Sequence, residues 1–167
     1  MRNKAFLSLA ALFLLIFNFL IFQKEDLIRN GQEVFLRLAP VDPRSLMQGD
    51  YMELRYAISR DISEKIAQMK FDKPASTFSI QAKANPNHVF EDPLILKDGR
   101  PPEADSILLK CRKRGTLIKL GSEAYFFQEG QRDIYQKARY GILRVGRDGE
   151  AVLIGLADEE RKRITAN

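Results

Sequence analysis

Residues 5–22 read AFLSLAALFLLIFNFLIF, and no other part of the chain restricts its structure as much. Only Ser8 and Asn18 interrupt the apolar run. Wound as a helix, such a run rises about 27 Å, close to the hydrocarbon thickness of a bilayer. A helix buried in a soluble core would carry a polar stripe, and this one is apolar all round. A cleaved signal peptide needs small residues before its cut site, yet Leu12 to Asn30 contains no Ala, Gly or Ser. A lipoprotein needs a cysteine just after the run, and the single cysteine is Cys111. The sequence therefore predicts an uncleaved signal-anchor, a transmembrane helix over 5–22.

Charge sets its expected orientation. Arg2 and Lys4 precede the span without acids, whereas Lys24, Glu25, Asp26 and Arg29 balance one another after it. The positive-inside rule then keeps residues 1–4 as a cytoplasmic stub and sends the body across. In a bacterium this makes the protein single-pass in the inner membrane, with residues 24–167 periplasmic or otherwise extracytoplasmic. The formal net charge of +5 leaves only +3 on the body once Arg2 and Lys4 are set aside. That is too little to argue for nucleic acid as a partner. One cysteine also rules out an intrachain disulfide.

The body reads as mainly β within an α+β class: a small antiparallel β barrel or sandwich with two short helices. After a polar stem over 23–31, residues 33–39 alternate with Val34, Leu36 and Leu38 on one face. Residues 50–58, DYMELRYAI, alternate again, with Met52, Leu54, Tyr56 and Ile58 facing one way. Ile62, Ile66 and Met69 then recur at helical spacing, predicting a helix over 61–70 capped within Ser59–Ile62. Further strands are expected at 76–83, on both sides of Arg114-Gly115 within 106–120, and at 124–127. Glu129 to Arg139 suits a second short helix. Asp148-Gly149 is a hairpin signal between 140–146 and 150–156. The domain would span 32–157, and the polar tail over 158–167 would fray.

Chemistry-bearing residues are few. His88, the only histidine, and Cys111 supply at most two of the three or four ligands a zinc site needs, so no metal or cofactor is expected. Cys111 falls in the apolar row of Ile107 and Leu109 and reads as a small core residue. Lys110, Arg112 and Arg114 share one strand face, with Lys113 opposite and Lys119 following. Such a basic patch fits anionic lipid headgroups, an anionic glycan or an acidic partner loop, or else is simply a solvated face.

Pro40 to Tyr56, PVDPRSLMQGDYMELRY, concentrates turn formers ahead of a strand. Asp42 suits an Asx turn, and Gly49 allows positive φ before Asp50. Gly49-Asp50-Tyr51 followed by Leu54 and Tyr56 spells GDY-x-x-L-x-Y, which resembles the signature of the GDYXXLXY protein family, bacterial membrane-anchored proteins with no assigned activity. Asp42-Pro43-Arg44 is similar to that family's lead-in, and Ala124 to Gly130, with Glu129 before Gly130, resembles its later aromatic block. The resemblance implies a membrane-anchored accessory whose partner is a polytopic membrane protein. The motif residues would then form an interaction surface, with Arg44 meeting Glu129 in one polar cluster. Two alternatives are an envelope ligand-binding module using the 42–50 loop, and a serine/lysine hydrolase. The second rests on a fainter similarity to membrane-anchored signal peptidases, with Ser45 as nucleophile and Lys110 as base, but the expected Ser-Met-x-Pro element is missing.

Overall fold

In the computed structural model the apolar run lies within one long helix, α1 (Arg2–Asn30), which continues unbroken through the polar stem. The structure describes residues 2–39, 47–48, 51–68, 75–83, 85, 87–96, 103, 106–121 and 123–165. The two polar residues of the run are satisfied within the helix: Ser8 Oγ donates to the Lys4 carbonyl and Asn18 Nδ2 to the Leu14 carbonyl. Among the described residues nothing in the body covers the apolar stretch, and thirteen large apolar side chains between Phe6 and Phe22 stand exposed. The helix is long and apolar enough to cross a membrane.

Gly31 stops α1. Its N–H donates to the Leu27 carbonyl, and a Cβ at this position would collide with that same oxygen. Glycine is therefore required for the turn into the body.

The body contains β1 (Gln32–Arg37), β2 (Met47–Gln48), β3 (Tyr51–Glu53), α2 (Ala57–Gln68), β4 (Ala75–Lys83), β5 (Leu94–Ile95), β6 (Ser106–Arg114), β7 (Leu117–Lys119), β8 (Ala124–Phe126), α3 (Arg132–Tyr135), β9 (Tyr140–Val145) and β10 (Ala151–Ala157). They form three antiparallel sheets ordered β1-β9-β10, β2-β3-β8 and β5-β4-β6-β7. Among the described residues none is closed, so of the expected barrel or sandwich the barrel wording gives way to open sheets around a shared core; the α+β class holds. Alternation tells each strand which face to bury but not how sheets join, which is why closure was not legible.

Most of the expected strands are present. Val34 and Leu36 of β1, Phe78, Ile80 and Ala82 of β4, and Ile107, Leu109 and Cys111 of β6 fill one core with the apolar stripe of α2. Phe35, on the other face of β1, joins a second cluster with Val89, Tyr140, Ile142 and Ala157. Three expectations change. The strand over 50–58 ends at Glu53, and α2 already begins at Ala57. Ile58 belongs to the buried helical row Ile58, Ile62, Ile66, and it satisfies both a period of two and a period of four. The helix expected over 129–139 is a single turn. The tail does not fray as far as Thr165: the Ile164 N–H donates to the Leu156 carbonyl at 2.8 Å, and Asp158 Oδ1 accepts from the Glu160 and Lys162 amides. Ile164 packs on the core.

Because β1 leaves from the end of α1 and β9 runs antiparallel to it, the β9–β10 turn returns to α1. Gln32 pairs with Val145, and Leu27 lies against Gly31 and Gly146. The body therefore meets the end of the apolar helix through this hairpin.

Candidate functional site

Three surfaces stand out on the body, two of them built from residues singled out in the sequence. The first joins the two signature blocks. Strand β3 pairs with β8 so that Tyr51 opposes Phe126, Met52 opposes Tyr125 and Glu53 opposes Ala124. Blocks more than seventy residues apart in sequence thus become neighbouring strands. The Tyr51 and Phe126 rings lie tilted at 5.8 Å on one face, and Phe126 is 75% exposed. On the other face Tyr125 and Phe127 pack on Tyr135 at 5.2 and 5.3 Å, so that aromatic mass goes to the core. Burial pushes the Tyr125 hydroxyl up to about 12, helped by its hydrogen bond with Tyr135.

Leu54 and Tyr56 of the signature are core residues. The Leu54 N–H donates to the Glu123 carbonyl, and Tyr56 bridges to Leu38. The Tyr56 ring lies over Gly141, where any Cβ would come within 3.0 Å of it. Burial, then the nearby Glu123 carboxylate, raises the Tyr56 pKa far above its ordinary value, so the ring stays neutral. Glu129 and Gly130 sit in an exposed turn. Asp42, Pro43, Arg44, Ser45, Gly49 and Asp50 lie outside the described residues, and with them the expected Arg44–Glu129 meeting.

The second surface is the outer face of the β4-β6-β7 sheet. Lys110, Arg112 and Arg114 alternate with the buried Ile107, Leu109 and Cys111 and share this face with Lys119, which is directly opposite Arg112. Lys113 has the parity of Cys111 and opposes Ile118. Lys110 Nζ lies 3.1 Å from Asp148 Oδ2 and 3.6 Å from Glu150 Oε1, while Lys119 Nζ is 4.0 Å from Glu123. Among the described residues, Arg112 and Arg114 make no ion pair.

The third surface is the joint with α1, which the sequence did not single out. Lys24 Nζ reaches Glu150 Oε2 at 3.1 Å, so Glu150 bridges the helix to Lys110. The Arg144 guanidinium donates to the Gly31 carbonyl at 2.9 Å and lies 3.4 Å from Glu33. The hydrogen bond that Lys110 donates to Asp148 raises its pKa; burial acts downward, and the charges of Asp148 and Glu150 add to the rise. The hydrogen bond from Lys24 holds Glu150 below its ordinary value. For Asp148, burial acts upward, but the Glu150 amide and the Lys110 ammonium outweigh it and bring the carboxyl down. A lysine base needs desolvation to lose its proton; Lys110 is held charged by two carboxylates, which does not suit the hydrolase role.

His88 is exposed, with φ +58, in a turn where Asn85 Oδ1 accepts from the Asn87 and Val89 amides. No group of three or more His, Cys, Asp or Glu side chains able to hold a metal occurs among the described residues. Burial pushes the Cys111 thiol up to about 12, with the Glu123 charge adding to it.

A search of curated proteins finds no match to this chain, and neither does a search of solved structures. The family model described as GDYXXLXY protein matches residues 13–156, from within the apolar helix into the last residues of β10. That match takes in both signature blocks and the strands that pair them, and the chain belongs to the GDYXXLXY protein family.

Proposed function

We propose that this chain is a single-pass membrane protein, anchored in the inner membrane by α1 with its N-terminus cytoplasmic, whose extracytoplasmic body serves as a non-enzymatic accessory of a polytopic membrane protein. The observation that carries this reading is the bare apolar surface of α1 on a chain whose body is otherwise well packed. Thirteen exposed Leu, Ile and Phe side chains favour insertion by roughly 4–8 kcal/mol on a translocon-based scale, with Ser8 and Asn18 already hydrogen-bonded. A soluble chain rarely leaves an apolar face of this extent open. The charge bias of Arg2 and Lys4 supports the orientation.

The accessory role draws on the paired signature blocks. They place Phe126 beside Tyr51 on an exposed face, and aromatic residues are enriched where proteins meet. Phe126→Ala removes that ring without opening the core. In a detergent pull-down of the full chain, a polytopic membrane protein should co-purify with wild type and be depleted with Phe126→Ala. Recovery of the same protein at equal yield with the variant would remove this face from the account. Absence of any membrane protein from the wild-type sample would remove the accessory role.

A further inference from the structure

The outer face of β6 and β7 breaks a local rule. Arg112 and Lys119 are directly opposed across the two strands, an arrangement that like charges disfavour. Next to them Arg114 opposes Leu117, which is 65% exposed. The acids near this face stand at its margins, Asp148 and Glu150 on Lys110 and Glu123 on Lys119. They leave the two arginines uncompensated among the described residues. An uncompensated cationic row on a β-sheet calls for an external anion.

The anchor fixes where that row lies. Lys24 is two residues beyond Phe22, about 3 Å further along the helix axis. Its ammonium touches Glu150, and Glu150 touches Lys110. The Gly149 carbonyl also accepts from the Lys110 N–H at 2.9 Å, so the link is made through backbone as well as side chains. Lys110 is thereby held close to the end of the apolar segment. Arg112 follows two strand residues later, about 7 Å away, which is within one Debye length at physiological salt. The headgroup layer of a leaflet is itself several ångströms deep, and arginine side chains extend along such a boundary with their guanidinium in the polar zone.

We propose that the outer face of β6 and β7, through Arg112 and Arg114 with Lys119, binds the anionic headgroups of the membrane that α1 spans, seating the body against the bilayer. Guanidinium groups pair with phosphodiester oxygens through charge-assisted hydrogen bonds, and the exposed Leu117 sits among them as an apolar contact. This rests on α1 being the membrane anchor.

The test uses the full chain with Thr116→Cys, at the exposed β6–β7 turn, carrying a fluorophore. The labelled chain is placed in nanodiscs containing a headgroup-attached quencher. Discs of phosphatidylcholine are compared with discs doped with phosphatidylglycerol. Quenching should rise with phosphatidylglycerol and fall again in high salt. Replacing Arg112 and Arg114 with Gln should weaken the lipid-dependent gain by roughly fivefold per arginine. Equal quenching in both lipids, or an undiminished gain in the double variant, would overturn the proposal. Reversal of the gain by inorganic phosphate would assign the face to a free phosphoanion and also overturn it. So would binding of a polyglutamate peptide without any lipid effect, which would point to an acidic protein. Failure of the chain to enter nanodiscs would sink the anchor with it, whereas entry without a lipid effect sinks only this inference.

Discussion

Replacing Gly149 tests how the hairpin is seated on the sheet. This glycine sits at φ +84 in the β9–β10 turn, and a Cβ there would lie 3.2 Å from both Leu108 Cγ and the Lys110 backbone nitrogen. The Lys110 nitrogen belongs to the central strand and donates to the Gly149 carbonyl, so it cannot withdraw without losing a ladder-type bond. Gly149→Ala therefore meets two costs. Left-handed backbone costs a residue with a Cβ about 1–2 kcal/mol, and crowding a packed contact adds about 1–3 kcal/mol. For a chain of this size the sum lowers Tm by roughly 5–15 °C. Gly130 and Gly115 are internal controls, because both have positive φ and neither would bring a Cβ within 4 Å of anything. Their alanine variants bear the backbone cost alone, roughly 2–6 °C. Unfolding of the full chain in neutral detergent can be followed by exposure of the buried Cys111 to a thiol dye. If Gly149→Ala melts no lower than Gly130→Ala, the hairpin is not seated on β6 as described.

Other predictions follow from the same geometry. Ile62→Ala, at a fully buried position of α2, should cost about 2–5 kcal/mol in denaturant unfolding, whereas Phe126→Ala should change stability by less than about 0.5 kcal/mol. Ending the chain after Ala157 removes the Ile164 contact and uncovers Leu156, and should cost about 1–3 kcal/mol; an unchanged midpoint would mean the tail is not docked. Burial raises the Cys111 thiol from an ordinary 9.0 to about 12, so between those values the unfolded state has released a proton that the native state keeps. Stability should fall as pH rises through this window, and a Cys111→Ala variant should lose that component of the alkaline slope. Glu150 is lowered first by its hydrogen bond with Lys24, and Asp148, despite the upward effect of burial, by the Glu150 amide and Lys110. Their contribution is present at neutral pH and disappears as acid takes the pH below their ordinary 4.5 and 3.8. Lys110→Met should flatten that acid limb, and an identical limb would dissociate Lys110 from the pair.

Local pattern carried the strands of the body and their buried faces. Val34 with Leu36, and Ile107 with Leu109 and Cys111, were legible because a half-buried strand has only one period. The start of α2 was not, because Met52, Leu54, Tyr56 and Ile58 are all buried while the backbone changes from strand to helix beneath them. The partnership of β3 with β8 joins residues far apart in sequence, and nothing in either block specifies its register alone. The ions at the anchor joint were hidden for the same reason. Lys24, Lys110 and Glu150 look like scattered surface charges until the antiparallel return of β9 brings the hairpin to the helix.

The most direct test of the anchored, extracytoplasmic body is labelling of Thr116→Cys by a membrane-impermeant maleimide in intact spheroplasts, followed by alkaline carbonate extraction. Thr116 is exposed on the body, and the native Cys111 is buried and serves as the unreactive background in the wild-type chain. An anchored, extracytoplasmic body gives full-length chain that labels from outside and stays in the membrane pellet. Labelling that requires lysis of the spheroplast, or release of the chain by carbonate, would contradict it.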